Sequence, residues 1–467
     1  SLGAPRKVEY GTARSLKNAA RYIMQPGQQQ LDAMLPALLA GVLIASSFLV
    51  PGTTSGAVLG WISVCGLVLA VRFSKKPVRD LFWSGVVTHA IAFYWLPATL
   101  SYFGGFPQAA SYLLFLLFCL VSAIQFGLCG FLFVQLRRIP LLRRLALALP
   151  LAWFGAEVLV PRLFPWALVH TQLPWQSLAA LAQHVGVFPL GALMLWIVTL
   201  CVTASARLRR RERCREIFVC AVFIGCLIGV GRMTVERTRS ELASAPAVIV
   251  GVVQGNLEAK QKRDIKLLEP NLERYRALSK SVLTEGAELL LWPETVATSW
   301  LPEEFKNVRG THYDVFPSGA VPLFYGGLSV RQRASAEAFN AVFLRNTEGQ
   351  ILARYYKRIL MPFGEYMPFA NLIPALRELS PATGDFTVGD QPITTAVSVR
   401  NADGLEQTFG VGMLICYEDL VPSLSNEAVD TGANILVNFT NDAWYGETAA
   451  PYQHHMLAAW RAVEVDR

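Results

Sequence analysis

Three residues in the second half of the chain have side chains that suit nucleophilic catalysis, and each follows an apolar, strand-like run. Cys416 follows "GVGMLI", Glu294 follows "LLLWP" and Lys357 follows "ILARYY". A thiolate is a strong nucleophile, and a neighbouring ammonium group lowers the pKa of a thiol because it stabilises the charged form. A carboxylate can take the thiol proton, and the lysine can stabilise a tetrahedral oxyanion. Together the three residue types would permit covalent catalysis by a cysteine.

Each of these residues also has a structural interpretation. Cys416 could be a packed core cysteine, Glu294 a loop acid and Lys357 a solvated charge. The other cysteines of the eight all precede residue 230, so the second half cannot form an internal disulfide. They lie mostly in apolar runs, where we expect them to behave as small hydrophobic residues.

The second half alternates predicted strands with predicted helices. Runs rich in β-branched and aromatic residues predict strands at 247–254, 288–292, 322–330, 338–346, 351–356, 408–415 and 434–439. Apolar residues at helical spacing predict helices at 263–286 and 449–465. This order predicts a layered α/β domain, in which reactive groups collect beyond the carboxyl ends of strands.

The first half is typical of a membrane domain. Of the 467 residues, 53% are hydrophobic and only 16% are charged, and the mean hydropathy of +0.37 is too high for a soluble globular protein. Seven apolar stretches approach or reach the ~20 residues that a membrane-spanning helix needs: 33–50, 57–73, 81–97, 110–136, 145–160, 186–205 and 217–231. We therefore predict about seven transmembrane helices.

Basic residues are concentrated in the leading segment and in every second connector between these stretches. They are Arg6, Lys7, Arg14, Lys17, Arg21, Arg72, Lys75, Lys76, Arg79, Arg137, Arg138, Arg143, Arg144, Arg207, Arg209, Arg210, Arg211, Arg213 and Arg215. The intervening connectors contribute only Arg162. Because cytoplasmic loops carry the excess of lysine and arginine, the N-terminus is expected in the cytoplasm and the second half on the outer side. The net charge of +8 thus reflects topology, and no nucleic-acid partner is expected.

The composition divides the chain into four predicted parts. Residues 1–32 form a cytoplasmic segment, 33–232 the membrane domain, 233–246 a linker and 247–467 the outer α/β domain. The outer connectors "YFGGFP" (102–107) and "LFPWALVHTQLPW" (163–175) are aromatic. They have two interpretations: an interfacial belt of aromatic residues, or a lipid-facing floor beneath the outer domain.

Four separated motifs in the second half resemble the carbon–nitrogen hydrolase, or nitrilase-like, superfamily: "LLLWPET" (289–295), "YYKRILMPFGEYMP" (355–368), "LICYED" (414–419) and "VNFTNDAWYG" (437–446). The apolar stretches and the motifs "YFGGFP", "FPW" (164–166) and "VQGN" (253–256) extend this resemblance. With them, residues 33–467 resemble the apolipoprotein N-acyltransferase family. The resemblance implies a multi-span α-helical membrane domain followed by an extracytoplasmic α-β-β-α sandwich. It also implies the inner membrane of a Gram-negative bacterium, with the catalytic domain in the periplasm.

The resemblance assigns roles to individual residues. It implies that Cys416 is the nucleophile, Glu294 the general base and Lys357 the residue that stabilises the oxyanion. Supporting roles fall on Glu365, Tyr417, Glu418 and Asn340. An alternative for Glu365 is a structural salt bridge with Arg358 or another base. His454 and His455 are adjacent on a predicted helix, where they diverge, so we expect packing or helix-surface residues and no metal site.

The reaction implied by the resemblance has two stages. Cys416 takes an acyl chain from the sn-1 ester of a phospholipid, with phosphatidylethanolamine expected, and forms a thioester. The amine of the diacylglyceryl-cysteine of an apolipoprotein then takes the acyl chain as an amide. Neither a metal ion nor an organic cofactor is expected.

Two features depart from the family pattern. Arg263 stands in "QGNLEAKQKRD" where the family usually has a tryptophan on a mobile loop. The chain also stops at "WRAVEVDR", whereas family members continue to a last membrane helix, so we expect the 247–467 domain to be C-terminally incomplete.

Two other functions are compatible with part of the sequence. The first is a membrane-tethered nitrilase-like amidase or hydrolase, with the same three residues and water as the acceptor; the apolar outer connectors argue against it. The second is a non-catalytic lipid-binding or scaffold protein of the same fold. The intact set of Glu294, Lys357 and Cys416 argues against that.

Overall fold

A computed structural model of the chain describes residues 26–207, 210–257, 261–262, 264–332, 337–380, 383–400 and 404–467. The helices that precede the first strand are α1 (Pro26–Phe48), α2 (Thr54–Phe73), α3 (Pro77–Ala92), α4 (Leu96–Gly104), α5 (Gln108–Ser122), α6 (Ile124–Leu136), α7 (Pro140–Arg144), α8 (Ala148–Leu159), α9 (Gln176–Ala179), α10 (Ala182–Val185), α11 (Val187–Arg207) and α12 (Arg210–Ser244). The predicted cytoplasmic segment 1–32 lies mostly outside the described residues.

Each predicted apolar stretch coincides with one or two of these helices. By length and hydropathy, the described residues contain two helices that could cross a membrane, Thr54–Phe73 and Gln108–Leu136. The pair α3 and α4, bent by 52° at its break, would add a third if it forms one span. Further apolar helices are shorter, at Met34–Phe48, Ala148–Leu159 and Val187–Thr203. The count of seven spans therefore stays a prediction.

Glycines allow the membrane helices to pack closely. A Cβ atom at Gly41 of α1 would lie 2.5 Å from the Ser84 carbonyl oxygen of α3. A Cβ atom at Gly130 of α6 would lie 2.6 Å from the Pro77 carbonyl oxygen. Backbones can approach this closely only where the side chain is absent, which is typical of helix contacts in membranes.

The segment that the sequence predicts as a linker, 233–246, is helical as far as Ser244 because α12 continues through it. The helical residues 233–244 contain neither proline nor glycine, and Pro246 follows just after the helix ends. The charges of the segment pair along the helix surface, Arg237 with Glu241 at 2.7 Å and Arg239 with Glu236 at 3.0 Å. Exposed pairs at this spacing stabilise a helix by about 0.2–0.5 kcal/mol each.

The second half contains two sheets. The strands are β1 (Val250–Val252), β2 (Leu289–Pro302), β3 (Leu323–Val330), β4 (Ala338–Arg345), β5 (Ile351–Tyr356), β6 (Thr394–Arg400), β7 (Glu406–Ile415) and β8 (Ile435–Phe439). The first sheet has the order β1-β2-β3-β4-β5, parallel from β1 to β3 and antiparallel from β3 to β5. The second sheet has the order β6-β7-β8, with β7 antiparallel to β6 and parallel to β8.

The helices of the second half are α13 (Leu268–Thr284), α14 (Leu376–Leu379), α15 (Pro422–Asp430) and α16 (Ala450–Val465). All seven predicted strands and both predicted helices are confirmed. The sequence missed β6, whose run "TTAVSVR" alternates inward and outward residues, and it missed the short helices α14 and α15. Buried and exposed residues alternate only in the second part of β6. The strand starts with two threonines and an alanine, which do not alternate in this way and weaken the apolar pattern.

The two sheets pack face to face between layers of helix. Phe324 and Tyr355 of the first sheet share a core with Phe409 and Met413 of the second. The outer face of the first sheet is covered by α13, whose Tyr275 lies 5.3 Å from Trp292 between ring centroids. On the other side, α15 packs against β7 and also contacts α16. This arrangement is the α-β-β-α sandwich that the resemblance implies.

Helix α16 joins the sandwich to the membrane helices. Met456, Leu457 and Trp460 are buried in the same core as the side chains of α1, α3 and α8. Full burial of a large apolar side chain stabilises a structure by roughly 1.5–3 kcal/mol. The Trp460 indole also donates a hydrogen bond to the His170 carbonyl oxygen at 2.9 Å. One face of the sandwich is thereby fixed against the membrane half.

Candidate active site

Cys416 occupies a strained turn at the carboxyl end of β7. The strand ends at Ile415, which is fully buried, and a 3₁₀ turn, Cys416–Leu420, follows. Cys416 has a φ of 50°, a left-handed conformation that is unfavourable for a residue with a side chain. Such conformations persist where the surroundings enforce them, and they cluster at active sites. As whole residues, Cys416 and Tyr417 are partly exposed, whereas Ile415 before them and Glu418 after them are buried.

Glu418 holds this turn in place. Its carboxylate accepts hydrogen bonds from the backbone N–H groups of Ile415 at 2.8 Å, Arg358 at 2.6 Å and Ile359 at 3.1 Å. It also accepts a hydrogen bond from the Tyr355 hydroxyl at 2.9 Å. The side chain is fully buried, and these donors link the Cys416 turn to the segment that follows β5. Glu418 therefore acts on the backbone around the site.

Glu294 lies inside an irregular part of β2, not beyond its end as the sequence predicts. The pairing of β2 with β3 is interrupted between Trp292 and Ala297. Pro293 cannot donate to the ladder, and Thr295 has a φ of 51°. The chain consequently bulges at Glu294, which turns this side chain toward the edge where β7 ends.

Lys357 directly follows β5, as the sequence predicts, and is almost fully buried. Its ammonium nitrogen lies 2.8 Å from Glu365 Oε2 and 3.8 Å from Glu294 Oε1. Glu365 Oε2 also accepts a hydrogen bond from the Met361 backbone N–H at 2.8 Å. Arg358 instead pairs with Glu427 at 2.6 Å. The salt bridge of Glu365 is thus formed with Lys357 and not with Arg358.

Asn340 of β4 connects the two carboxylates. Its side-chain nitrogen donates to Glu294 Oε1 and to Glu365 Oε1, both at 2.8 Å. The backbone carbonyl oxygen of Asn340 accepts a hydrogen bond from the Lys357 backbone N–H at 2.9 Å. One amide and one ammonium group thereby keep two buried carboxylates close to each other.

Burial and nearby charges set the protonation of the site. Burial raises the pKa of Cys416 well above its ordinary value, and the Glu294 carboxylate raises it further, whereas Lys357 lowers it. The effect of the lysine has the expected sign, but burial and Glu294 outweigh it. The resting thiol is therefore protonated, because a buried thiolate next to a carboxylate is unfavourable.

The pKa values of Glu294 and Lys357 are both raised. Burial raises the pKa of Glu294, against the lowering effect of Lys357. Burial alone would lower the pKa of Lys357, but the charges of Glu365, Cys416 and Glu294 raise it overall. Lys357 thus stays charged, while Glu294 has an increased affinity for a proton. A carboxylate of this kind can accept a thiol proton as a bond to sulfur forms.

Tyr417 faces the membrane helices. Its hydroxyl donates a hydrogen bond to the Leu163 carbonyl oxygen at 2.5 Å, and its ring meets Phe164 edge to face at 6.4 Å. A small apolar cavity begins beside it and is lined in part by Phe93, Trp95 and Tyr445. The aromatic connector 163–175 therefore forms a wall of the site.

Lys262 is a residue of the site that was not identified from the sequence. Lys262 is buried, and its ammonium group donates to the Glu294 carbonyl oxygen at 3.1 Å. Burial lowers the pKa of Lys262 to about 8. The position of Lys262 just after "VQGN" was the available signal. Arg263, the predicted departure from the family, lies outside the described residues.

Comparisons with known proteins agree with the fold. The family model "Carbon-nitrogen hydrolase" matches residues 249–467. The second half is therefore a carbon–nitrogen hydrolase domain, the class of enzyme to which its α-β-β-α sandwich corresponds. The family model "Apolipoprotein N-acyltransferase N-terminal domain" matches residues 40–200.

Relatives match along nearly the whole chain. An apolipoprotein N-acyltransferase of Geobacter metallireducens is 30% identical over 450 residues, which are 92% of this chain and 81% of the relative. Those of Bdellovibrio bacteriovorus and Methylococcus capsulatus are 29% and 28% identical, with 92% and 94% of this chain and 80% and 83% of each relative covered. The chain belongs to the apolipoprotein N-acyltransferase family.

Solved structures are similar to the second half. An amidase from Nesterenkonia sp. AN1 has 18% sequence identity and a TM-score of 0.29, covering 44% of this chain and 71% of the amidase. Nit3 of Saccharomyces cerevisiae, a member of the nitrilase superfamily, has 16% identity and a TM-score of 0.31, covering 47% of this chain and 74% of Nit3.

Proposed function

We propose that this chain transfers an acyl chain from a phospholipid to the N-terminal amine of diacylglyceryl-apolipoproteins, through a thioester on Cys416. One observation carries the proposal: in a member of this family, a single strained cysteine turn faces the buried charges of Glu294 and Lys357 and abuts the apolar helices. Donor and acceptor are both lipid-anchored, and exposing an acyl chain to water costs about 0.8 kcal/mol per CH₂. A site at the membrane half avoids that exposure.

In the first stage, the Cys416 sulfur attacks the ester carbonyl carbon as Glu294 accepts the thiol proton. The carbonyl oxygen becomes an oxyanion, and Lys357 stabilises it by its charge. Collapse of this intermediate breaks the ester C–O bond and forms the thioester. The departing lysophospholipid oxygen takes the proton from Glu294, so that the base is regenerated.

In the second stage, the free amine of the acceptor attacks the thioester carbonyl carbon. Glu294 accepts a proton from the attacking nitrogen, and Lys357 stabilises the second oxyanion. The C–S bond breaks, the amide forms, and the proton held by Glu294 returns to Cys416. Splitting one difficult transfer into two steps is the advantage that a covalent nucleophile provides.

The supporting residues divide into two groups in this scheme. Asn340 and Glu365 hold Glu294 and Lys357 at their separation, and Glu418 maintains the strained backbone of the Cys416 turn. Tyr417 forms the wall between the thiol and the membrane helices. Each of these roles is supported by the contacts of the side chain concerned.

The proposed location is the inner membrane of a bacterium, with residues 33–232 as the membrane domain, 233–246 as the helical connection and 247–467 as the catalytic domain. The cluster of basic residues in alternate connectors supports a cytoplasmic N-terminus and a periplasmic catalytic domain. Phosphatidylethanolamine is the proposed donor among phospholipids.

The test is the formation and use of the acyl-enzyme. The full chain is incubated in detergent with phosphatidylethanolamine, and its intact mass is measured before and after addition of a diacylglyceryl-cysteine peptide. We expect a mass increase of one acyl chain, lost again as the peptide becomes acylated. Cys416→Ala should remove the increase, whereas Cys226→Ser, at an exposed cysteine of α12, should retain it.

Two outcomes would contradict the proposal. An undiminished acyl adduct in Cys416→Ala would exclude this residue as the nucleophile. Release of free fatty acid in the presence of unmodified peptide would instead favour the hydrolase, in which water is the acceptor.

A further inference from the structure

His454 of α16 is held between two carboxylates beside the candidate active site. Its Nε2 atom lies 3.0 Å from Asp419 Oδ1, and its Nδ1 atom lies 2.9 Å from Asp442 Oδ1. The side chain is 9% exposed. The sequence favoured packing or helix-surface residues at 454 and 455, and the helix turns His454 inward while His455 is exposed.

Both ring nitrogens of His454 face acceptors, so both carry a proton. Ionised carboxylates only accept hydrogen bonds, and only the imidazolium form donates from both nitrogens. Burial by itself would lower the pKa of His454, but the charge of Asp419 and hydrogen bonds with Asp419 and Asp442 raise it well above its ordinary value. His454 is therefore a buried cation with two anionic partners.

The two partners of His454 belong to the two turns that flank the thiol. Asp419 lies in the Cys416–Leu420 turn, and Asp442 begins the Asp442–Tyr445 turn. Asn438 reinforces the first turn, because its side-chain nitrogen donates to the Cys416 carbonyl oxygen at 3.2 Å and also to Asp419. The second turn places Tyr445 against Trp95, 5.1 Å between ring centroids.

Asp442 also acts on the thiol electrostatically. Burial and Glu294 are the main causes of the raised pKa of Cys416, and the Asp442 charge adds to them, while Lys357 and a hydrogen bond with Thr440 oppose them. The Thr440 hydroxyl in turn donates to Asp442 Oδ1 at 3.0 Å. On α16 itself, Arg461 interacts with Asp419 and pairs with Glu464 at 2.7 Å. His454 is thus the cation in contact with Asp442 among the described residues.

We propose that His454 is a positioning residue of the acyl-transfer site, whose positive charge holds the Cys416 and Asp442 turns together and balances the Asp442 carboxylate next to the thiol. This inference rests on the proposed role of Cys416 as the nucleophile. It adds a requirement to that role: the thiol must be able to lose its proton to Glu294 during attack, and an unbalanced carboxylate beside it would resist that loss.

The experiment follows alkylation of Cys416 by iodoacetamide as a function of pH, with the full chain in detergent and the modified peptide quantified by mass spectrometry. His454→Gln keeps a hydrogen-bonding side chain and removes the charge. We expect the apparent pKa of alkylation to rise by about one pH unit, since the Asp442 carboxylate near the thiol is then no longer compensated and disfavours the thiolate. His455→Gln is the matched control and should leave the profile of the parent chain unchanged.

A second substitution separates the charge from a purely structural role. Adding Asp442→Asn to His454→Gln removes the carboxylate that His454 no longer balances, so the apparent pKa should return at least halfway to the parent value. If His454→Gln fails to fold, Asp442→Asn alone tests the same balance and should lower the apparent pKa.

An unchanged profile in His454→Gln, or a double variant with no recovery, would overturn the inference, as would an Asp442→Asn profile that does not move downward. The alkylation requires neither phospholipid nor acceptor. Failure of the acyl-transfer assay would therefore contradict the proposed function and leave this measurement interpretable by itself.

Discussion

At the scale of single residues, the site balances an excess of buried carboxylate against few cations. Glu294 and Glu365 share Asn340 and Lys357, with the ammonium group 2.8 Å from one carboxylate and 3.8 Å from the other. An uncompensated buried charge is far more costly than a paired one. Lys357 therefore compensates these carboxylates, and in the proposed mechanism it also stabilises the oxyanion.

Replacement of Lys357 by methionine tests this pair of functions. Lys357→Met keeps the side-chain length but removes the charge, so the pKa of Glu294 and that of Cys416 should both rise. Thioester formation should slow by about 10²–10³-fold, the usual effect of removing one oxyanion-stabilising donor. The measurement is the rate of acyl-enzyme formation by intact mass.

The control is Lys280→Met, at an exposed lysine of α13. This variant should form the thioester at the parent rate. A Lys357→Met variant that is as fast as Lys280→Met would show that the ammonium group contributes nothing to the transition state.

At the scale of elements, the position of Glu294 depends on a glycine of the neighbouring strand. The bulge in β2 passes so close to β3 that a Cβ atom at Gly326 would lie 2.5 Å from the Pro293 carbonyl oxygen and 2.6 Å from Glu294 Cα. These are backbone atoms, which cannot rotate away as a flexible side chain could. The pairing of β2 with β3 and the bulge at Glu294 are therefore coupled through Gly326.

Gly326→Ala should displace the bulge. We expect a loss of stability of about 1–3 kcal/mol, as for other insertions into a packed interior, together with slower thioester formation because Glu294 moves. Thermal unfolding and the intact-mass assay provide the two readouts. Gly225→Ala, inside α12 where an added methyl group meets no atom within 4 Å, should neither lower stability nor slow thioester formation; equal losses in both variants would exclude the coupling.

At the scale of the whole molecule, one glutamine fastens the catalytic half to the membrane half. The Gln453 side-chain nitrogen donates to the Phe48 carbonyl oxygen at 3.1 Å and to the Ala92 carbonyl oxygen at 3.0 Å. These are the last residues of α1 and α3, whose terminal carbonyls have no partner within their own helices. The Gln453 side-chain oxygen accepts from the Trp95 indole at 3.0 Å. His454 is the next residue of α16. The contacts of Gln453 therefore also help to position His454 between Asp419 and Asp442.

Gln453→Leu should loosen the junction between the halves. It leaves a buried indole N–H and two helix-terminal carbonyls unpaired, and each such group costs about 1–3 kcal/mol. We expect a lower Tm and faster proteolysis within α16, measured on the full chain in detergent. Tyr452→Ala, at the exposed preceding residue, is the control; proteolysis at the same rate in both variants would argue against a clamp at Gln453.

Local sequence determined most of the elements and which residues are candidates for the reaction. The strands rich in β-branched residues, the apolar stretches of the membrane half and the motifs around Cys416 each depend on residues close together in the chain, which is why their patterns are legible. The charges in 233–246 do not distinguish an irregular linker from a helical one, because ion pairs on a helix surface and a solvated linker have similar compositions.

Only the tertiary structure decided how distant residues meet. The bulge that turns Glu294 inward needs Gly326 from another strand, and the pairing of Glu365 with Lys357 needs Asn340 from a third. The sequence indicated no ionic partner for His454, and the fold brings Asp419 and Asp442 to its two ring nitrogens. Long-range charges and burial, which no local pattern records, likewise raised the pKa of Cys416 although its neighbouring lysine lowers it. The sequence by itself determined which groups are present, and packing in a low-dielectric interior decided which of them act on one another.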